Sequence, residues 1–359
     1  MTTAAVIWQE GQEFSLEDVE LDEPRPDEVR VRLVATGMCH TDLSVAHGVT
    51  PFPLPGVLGH EGVGVVEEVG SRVVRTKPGD RVLLTFTSCG RCGNCRGGHP
   101  ALCEHHLPLN LFGGRRADGT ATIRHKGEDL GCHFFGQSSF AQHAIVDERS
   151  VVVLGDLAEA DLPALAPLGC GLQTGAGAIL NVLRPTPGST VVVAGAGAVG
   201  LAAVMAAARM SPAAEVVVVD RVASRLELAK RLGATSVLEA SAPGALAGAD
   251  FAVDTTGNVG VIENLVAGLA VGGTCALIGA PRAGSRASFD VNRLLPGRSI
   301  VGVTLGDGEP ETLVPLLAAA HARGDFPMET FQKTYAFEDI NTAAADAASG
   351  AVVKPILLF

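Results

Sequence analysis

The stretch from Cys39 to Glu61 brings together side chains that bind transition metals. It carries Cys39 and Asp42 near its start and His60-Glu61 at its end. Thiolate, imidazole and carboxylate groups hold Zn²⁺ in proteins, and a metal-bound histidine usually donates its second N–H to a carboxylate. Taken singly, a buried cysteine and a turn histidine also explain these residues. The two nearby carboxylates favour a metal site, although two protein ligands are too few to complete it.

A second group of thiols follows within fifteen positions. Its members are Cys89, Cys92, Cys95 and Cys103. Two-residue spacers let successive thiolates converge on one ion, and four thiolates leave no open coordination position. Disulfides are one alternative, which a reducing compartment disfavours. An iron–sulfur cluster is the other, and the spacing departs from ferredoxin patterns. The group therefore predicts a structural zinc.

A glycine motif marks the second half of the chain. It lies between an apolar segment ending at Ala194 and an alanine-rich segment reaching Arg209. A glycine turn between a strand and a helix lets the backbone approach a dinucleotide pyrophosphate, whose charge the helix N-terminus stabilises. The cofactor contacts predicted from this motif are Gly195, Gly197, Ala198, Val199 and Gly200.

An acidic residue at the predicted distance supports the dinucleotide interpretation. Asp220 ends the next apolar segment, twenty positions after Gly200. Its carboxylate is expected to bond the adenosine ribose hydroxyls and to repel a 2′-phosphate, which favours NAD over NADP. Arg221 keeps NADP open, since an arginine there can accommodate that phosphate. Arg225 is predicted either to contact the ribose or to be a solvated helix charge.

Composition limits the remaining possibilities. The chain has 359 residues, 47% of them hydrophobic, and a net charge of −12. The length predicts two domains, and the negative charge argues against nucleic-acid and anionic-membrane surfaces. No signal peptide or membrane-spanning run is visible, so a cytoplasmic protein with eight reduced cysteines is expected. The four histidines between residues 104 and 136 are predicted to be surface groups.

The pattern of elements changes along the chain. Residues up to about 153 alternate polar and apolar in short runs, which predicts a barrel-like β domain with strands near 29–34, 63–69 and 81–84. From residue 158, helices and strands alternate, which predicts a doubly wound parallel sheet. Asp161 is expected to cap a helix, and residues 172–183 are expected to form a single helix.

These three motifs, in this order, resemble the zinc-dependent medium-chain alcohol dehydrogenases over essentially the whole chain. The resemblance implies an α/β protein with a GroES-like β-barrel catalytic domain (residues 1–171 and 305–359). A Rossmann NAD-binding domain (residues 172–304) is inserted into it. It also implies a substrate cleft between the domains. A homodimer or homotetramer joined at the sheet edge near residues 300–303 is expected.

The resemblance also assigns residue roles. Cys39, His60 and Cys170 are implied as catalytic zinc ligands, Glu61 as a nearby carboxylate and Asp42 as the partner of the histidine ligand. Thr41 matches the residue that bonds the alcohol and starts a proton relay. Many members carry a histidine three residues later, where this chain has Ser44, and His47 or water is expected to replace it. The remaining implied contacts are His40 and Lys354 for the pyrophosphate, Thr174 for the nicotinamide, and Phe86, Leu109 and Leu305 for an apolar pocket.

The implied reaction is reversible oxidation of an alcohol by hydride transfer from a zinc-bound alkoxide to NAD⁺. The sequence looks most similar to the aryl-alcohol branch, which takes benzyl alcohol and allylic alcohols such as geraniol. A thiol-dependent formaldehyde dehydrogenase of the mycothiol type is the alternative. Thr50 and Leu107 stand where its glutathione-dependent members carry an acidic residue and an arginine. A non-catalytic NAD-binding structural protein is the alternative of a different class.

Overall fold

The chain forms two compact units. The structure is a computed structural model and describes residues 1–240 and 247–359. The first unit comprises Met1–Cys170, Glu309–Pro315 and Glu329–Phe359, and the second comprises Gly171–Gly308 and Leu316–Met328. Among the described residues, no helix combines the length and apolarity needed to cross a bilayer.

The first unit is built mainly from β-strands. Its N-terminal strands are β1 (Thr2–Ile7), β2 (Ser15–Leu21), β3 (Glu28–Gly37), β4 (Gly56–Val57), β5 (Gly62–Val69), β6 (Arg81–Leu84), β7 (Ile123–His125), β8 (Glu128–Asp129), β9 (His143–Asp147) and β10 (Val151–Val153). The predicted strands at 29–34, 63–69 and 81–84 are therefore confirmed. The helices of this part are α1 (His40–Ala46), α2 (Gly93–Arg96) and α3 (Leu162–Leu165).

The second unit contains the predicted parallel sheet. Its strands are β11 (Thr190–Ala194), β12 (Glu215–Asp220), β13 (Ser236–Glu239), β14 (Ala249–Asp254), β15 (Leu269–Leu277) and β16 (Ser299–Gly302). Their spatial order is β13-β12-β11-β14-β15-β16, all parallel, which is the doubly wound order of a dinucleotide-binding sheet. The helices between and beside them are α4 (Gly171–Gly177), α5 (Ala198–Arg209), α6 (Ala223–Leu232), α7 (Val259–Gly268) and α8 (Val291–Leu294).

The C-terminal segment returns to the first unit. After α9 (Pro310–Ala322) come β17 (Gln332–Ala336), α10 (Ile340–Ser349) and β18 (Lys354–Leu358). Strand β18 pairs antiparallel with β3, with Ile356 opposite Gly37. The barrel sheet then runs β10-β6-β5-β3-β18-β17, with β9 also paired to β3. The last strand therefore lies directly beside the strand that leads to Cys39.

Alternating side chains of these strands fill the barrel core. Val29, Val31 and Leu33 of β3 are buried together with Val66 of β5 and Val82 of β6. Successive residues of a strand point to opposite faces, so this spacing of two buries one face. The core holds β3 and β5 in place. Cys39 follows soon after the last residue of β3, and His60 and Glu61 immediately precede the first residue of β5.

Two predictions of local structure were confirmed in position and wrong in detail. Asp161 is the N-cap residue of α3, as predicted, but its side chain makes no capping hydrogen bond. The helix predicted for residues 172–183 begins at Gly171, and its second half, Ala178–Leu183, is π-helical rather than α-helical. Glycine explains the close packing of α4, because a Cβ on Gly175 would lie 2.0 Å from the Val199 carbonyl oxygen.

Candidate metal centres and nucleotide site

The carboxylate of Asp42 organises the first metal-binding group. Its Oδ2 accepts a hydrogen bond from the Cys39 backbone N–H at 2.8 Å, immediately before α1. Its Oδ1 accepts from the Gly59 backbone N–H at 3.0 Å and from His60 Nδ1 at 3.0 Å. The side chain is fully buried. One carboxylate therefore fixes both the segment that carries Cys39 and the segment that carries His60.

Four donor groups converge at this point. Ligand atoms of Cys39, His60, Glu61 and Cys170 all lie within 4.8 Å of one another. Since His60 Nδ1 faces Asp42, its Nε2 is the remaining ring nitrogen, and this buried atom has no hydrogen-bond partner among the described residues. A buried nitrogen without a partner is costly, and a metal ion removes that cost. The arrangement fits a zinc ion with two thiolates and one imidazole.

The two thiols of this group lie within hydrogen-bond distance of each other. Their hydrogen bond holds the pKa of Cys39 well below its ordinary value and raises that of Cys170 well above it. Two thiolates this close repel each other unless a cation lies between them. A divalent cation lets both thiols ionise, which is the form that binds zinc.

A buried ion pair holds the fourth member of the group. Lys354 Nζ donates to both carboxylate oxygens of Glu61, at 3.0 and 2.9 Å, and to the Met38 carbonyl oxygen at 3.1 Å. Burial alone would lower the pKa of Lys354, but the Glu61 carboxylate raises it above its ordinary value. The Glu61 carboxylate is thus oriented towards an ammonium group as well as lying beside the thiols.

The second cysteine group is local in sequence. The sulfur atoms of Cys89, Cys92, Cys95 and Cys103 lie within 4.8 Å of one another. Backbone N–H groups donate to three of these sulfurs, among them Cys92 N–H to Cys89 Sγ at 3.3 Å and Cys95 N–H to Cys92 Sγ at 3.5 Å. Such bonds stabilise thiolates. All eight cysteines are free thiols, so the group fits a closed tetrathiolate zinc site rather than disulfides.

The glycine turn of the second unit is shaped for a pyrophosphate. Gly195 has a positive φ of 96°, and a Cβ on Gly200 would lie 1.8 Å from the Gly195 carbonyl oxygen. A Cβ on Gly197, by contrast, would meet nothing within 4 Å, so space remains beside the N-terminus of α5. Asp220 accepts from the Ala196 and Val222 backbone N–H groups at 2.7 and 2.8 Å. The turn fits a dinucleotide, with an oriented carboxylate at the ribose position.

Comparisons with known proteins agree with this geometry. Residues 25–156 match the Alcohol dehydrogenase GroES-like domain, and residues 198–319 match the Zinc-binding dehydrogenase family. A geraniol dehydrogenase of Castellaniella defragrans is 42% identical, over 99% of this chain and 97% of that protein. The chain belongs to the zinc-dependent medium-chain alcohol dehydrogenases. It is therefore an oxidoreductase that acts on a small-molecule alcohol, and zinc and NAD are the family's cofactors.

Solved structures support the same membership. A benzyl alcohol dehydrogenase from Acinetobacter calcoaceticus has a TM-score of 0.95 and 41% identity, covering 100% of this chain and 99% of that one. An alcohol dehydrogenase zinc-binding domain protein from Burkholderia ambifaria has a TM-score of 0.97 and 46% identity, covering 100% and 98%. The predicted likeness to the aryl-alcohol branch of the alcohol dehydrogenases is confirmed.

The other predicted site residues of this alcohol dehydrogenase range from buried to exposed. Thr41 is half-buried, with Oγ1 3.9 Å from Cys39 Sγ. His47 is exposed, and its Nδ1 donates to the Leu43 carbonyl oxygen at 2.7 Å. His40 is exposed, Phe86, Thr174 and Leu305 are buried, and Leu109 and Arg225 are half-buried. The roles of these residues stay predictions, as does the pyrophosphate contact of Lys354.

The sequence did not indicate the aromatic rings around the metal site. Phe135 stacks on the His60 ring at 4.5 Å, and Phe134 meets it edge-on at 5.2 Å. Adjacent phenylalanines in a chain with only 4% aromatic residues were the available signal.

The prediction that His133 is a surface group was wrong, since it is 8% exposed. Groups from distant segments, Glu28 and Asp147 among them, lie close enough to act on its ring.

Proposed function

We propose that this chain oxidises a primary aryl or allylic alcohol, of the benzyl alcohol or geraniol type, to the aldehyde with NAD⁺, reversibly. The observation that carries the proposal is that the Cys39 and Cys170 thiols lie beside the buried Nε2 atom of His60, which has no hydrogen-bond partner among the described residues. Relatives that are named for benzyl alcohol and geraniol support the substrate class. When bound, zinc supplies a Lewis acid that lowers the pKa of an alcohol, and NAD⁺ supplies the hydride acceptor.

The chain's own residues hold these groups and move the proton. Asp42 accepts from His60 Nδ1, which fixes the tautomer that leaves Nε2 for the metal. The Thr41 hydroxyl, two residues from Cys39, accepts a hydrogen bond from the substrate hydroxyl and relays its proton, giving up its own hydroxyl proton to the next group of the relay. Lys354 restrains Glu61 beside the thiols. Phe86, Leu109 and Leu305 are proposed to form the apolar pocket wall.

We propose that His47 replaces the histidine that many relatives carry at the position of Ser44. Its Nδ1–H donates to the Leu43 carbonyl oxygen, so Nε2 is the acceptor on an exposed ring at the end of α1. A proton from Thr41 can reach it through water. His47→Gln should slow turnover and shift its pH profile, and added imidazole buffer should restore the rate. Unchanged kinetics in the variant would remove His47 from the relay.

NAD is proposed in preference to NADP. The Asp220 carboxylate is held by two backbone N–H groups at the end of β12, where it would repel a 2′-phosphate. The proposed pyrophosphate contacts are His40 and Lys354 together with the glycine turn, Thr174 is proposed beside the nicotinamide, and Arg225 near the ribose. Asp220→Ser should narrow the preference for NAD⁺ over NADP⁺ in kcat/KM, and an unchanged ratio would contradict the assignment.

The substrate proposal is tested with zinc-loaded protein by NADH absorbance. The panel is benzyl alcohol, geraniol, ethanol and formaldehyde with mycothiol, each with NAD⁺ and with NADP⁺. We expect the highest kcat/KM for benzyl alcohol or geraniol with NAD⁺. Activity only with the mycothiol adduct would replace the proposal by a thiol-dependent formaldehyde dehydrogenase. Silence across the panel with two zinc ions per chain would refute the substrate class.

We also propose a cytoplasmic homodimer or homotetramer. Strand β16 is an edge strand, and an unpaired edge can extend a sheet across a two-fold axis. Exposed apolar side chains of the same unit support this, with Val271, Val291 and Leu295 being 73, 68 and 75% exposed. Eight free thiols suit a reducing compartment. Sedimentation velocity tests the assembly, and Ile300→Pro should dissociate it.

A further inference from the structure

A cavity lies in the first unit, apart from the metal-ligand group around His60 Nε2. Its volume is about 590 Å³, and none of the four ligand residues around His60 Nε2 lines it. This volume is in the range of small-molecule sites. Arginines dominate its lining: Arg25, Arg91, Arg115, Arg116 and Arg149. Such a concentration of guanidinium groups stands out in a chain whose net charge is −12.

The charges in the cavity do not balance. Each lining carboxylate already forms an ion pair, which leaves none for a cation: Asp27 with Arg72, Glu28 with Arg116, Asp118 with Arg25, and Asp147 with Arg149. Arg115 is paired with Asp129, a carboxylate outside the lining. Arg91 is exposed and forms no ion pair with a described residue. Among the lining arginines, the charge that no described carboxylate pairs with is therefore that of Arg91.

A buried histidine gives an independent indication of a ligand. His133 lines the cavity and is 8% exposed, and its Nε2 has no hydrogen-bond partner among residues 1–240 and 247–359. Buried polar atoms almost always have a partner, and leaving one without a partner costs about 1–3 kcal/mol. Burial also lowers the pKa of His133 to about 4, so the ring is neutral near pH 7 and one tautomer donates from Nε2.

We propose that this cavity binds a small phosphate monoester. Arg91 supplies the unpaired positive charge for the oxyanion, His133 supplies a buried N–H donor, and the Thr87 and Ser88 hydroxyls line the same space. Guanidinium groups form strong charge-assisted hydrogen bonds to phosphate. Pro108 provides apolar surface for the organic part of the ligand. The proposal does not depend on the alcohol substrate or on turnover.

The test is calorimetric titration of the zinc-loaded protein with phenyl phosphate. Saturating NAD⁺ fills the nucleotide's own pyrophosphate site, and chloride holds the ionic strength constant. We expect one phenyl phosphate per chain, weaker binding of inorganic phosphate, and no binding of phenol. Heat no larger than in the chloride control, or phenol binding as tightly as phenyl phosphate, would overturn the proposal.

Two variants and a matched control locate the binding. Arg91→Gln should weaken phenyl phosphate binding about tenfold, which corresponds to one lost charged hydrogen bond. Arg115→Gln, outside the cysteine segment, should also weaken it and covers the case in which Arg91→Gln disturbs zinc content. Arg96→Gln, at an exposed arginine of α2 that does not line the cavity, should bind like the wild type. Wild-type affinity in both cavity variants would refute the site.

Discussion

The two cysteine groups of the first unit place the same kind of ligand in opposite ways. The tetrathiolate group takes all its ligands from fifteen consecutive positions, and neighbouring backbone N–H groups support its sulfurs. The other group takes its ligands from segments around residues 39, 60 and 170, and it depends on buried partners, Asp42 and Lys354. The first can be closed by a short loop, whereas the second exists only after the barrel has formed.

This difference predicts different consequences for loss of a ligand. The loop that carries the four thiols of the tetrathiolate group is short, so closing it costs little chain entropy. The free energy of metal binding there should therefore mainly stabilise the folded state. The assembled group offers one imidazole and two thiols, and a zinc ion held by these three would keep a fourth coordination position for a substrate. Its loss should therefore remove chemistry rather than structure.

The largest effect is expected for Cys170→Ser. Loss of this thiolate should lower kcat/KM for the best alcohol at least about a thousandfold, because a Lewis acid contributes several kcal/mol to the reaction. The thermal midpoint should change little. NADH formation and calorimetry measure the two quantities. Cys132→Ser is the matched control, since Cys132 is buried in the same unit and belongs to neither group. Equal losses in both variants would refute the assignment.

Cys103→Ser should show the opposite pattern. We expect the free energy of unfolding to fall by about 3 kcal/mol, because the closed zinc site contributes to folding. Turnover per folded chain should stay near that of the wild type. Chemical denaturation and the zinc-to-protein ratio are the measurements. A variant that keeps two zinc ions and full stability would show that Cys103 is not a ligand.

Sequence reasoning succeeded where the signal was local or periodic. The strand containing Val29 and Val31 follows from alternation, and the parallel sheet follows from strands separated by helices. The tetrathiolate group follows from its spacing. Residues far apart in sequence were different: Cys170 was assigned through family resemblance, and the pairing of Lys354 with Glu61 was not foreseen. That contact requires β18 to pair with β3, a register that no local pattern specifies.

Helix details failed for a related reason. Asp161 has the residue type and position of a cap, but its backbone is already helical, so the side chain has no role there. The change from α- to π-helical hydrogen bonding within residues 171–183 occurs beside tight contacts at Gly175 and Gly177, and helix propensity does not describe such tertiary contacts. Burial of His133 likewise depends on neighbours from distant segments. The sequence carries little information about such contacts.

A smaller effect is expected from Asp42→Asn. The carboxylate orients His60 and the Cys39 segment, so its neutralisation should weaken zinc at the assembled group about 10- to 100-fold while the tetrathiolate zinc is retained. Competition with a chromophoric chelator measures both sites. Asp147→Asn is the counterpart beside the other group, because Asp147 holds Arg149, whose Nη1 donates to the Cys89 carbonyl oxygen. If Asp147→Asn weakened the assembled zinc equally, the effect would not be specific.

The smallest predicted effect extends the contrast to two histidines of the segment between residues 104 and 136, the exposed His105 and the buried His133. Burial lowers the pKa of His133 from its ordinary 6.5 to about 4, with Glu28 and Asp147 opposing the shift and Arg116 adding to it. The unfolded chain therefore binds the extra proton first. The contribution of neutral, buried His133 to the free energy of unfolding is complete above pH 6.5 and is lost as the pH falls towards 4.

When the pH falls from 7.5 to 5.5, the titration of His133 should therefore lower the free energy of unfolding by about 1 kcal/mol. Urea denaturation of the wild type and of His133→Leu at both pH values measures this contribution, and the variant should show the smaller decrease. His105→Gln, at an exposed position of the same segment, should keep the wild-type decrease. Equal decreases in the wild type and in His133→Leu would mean that burial by the assembled fold does not shift the titration of His133.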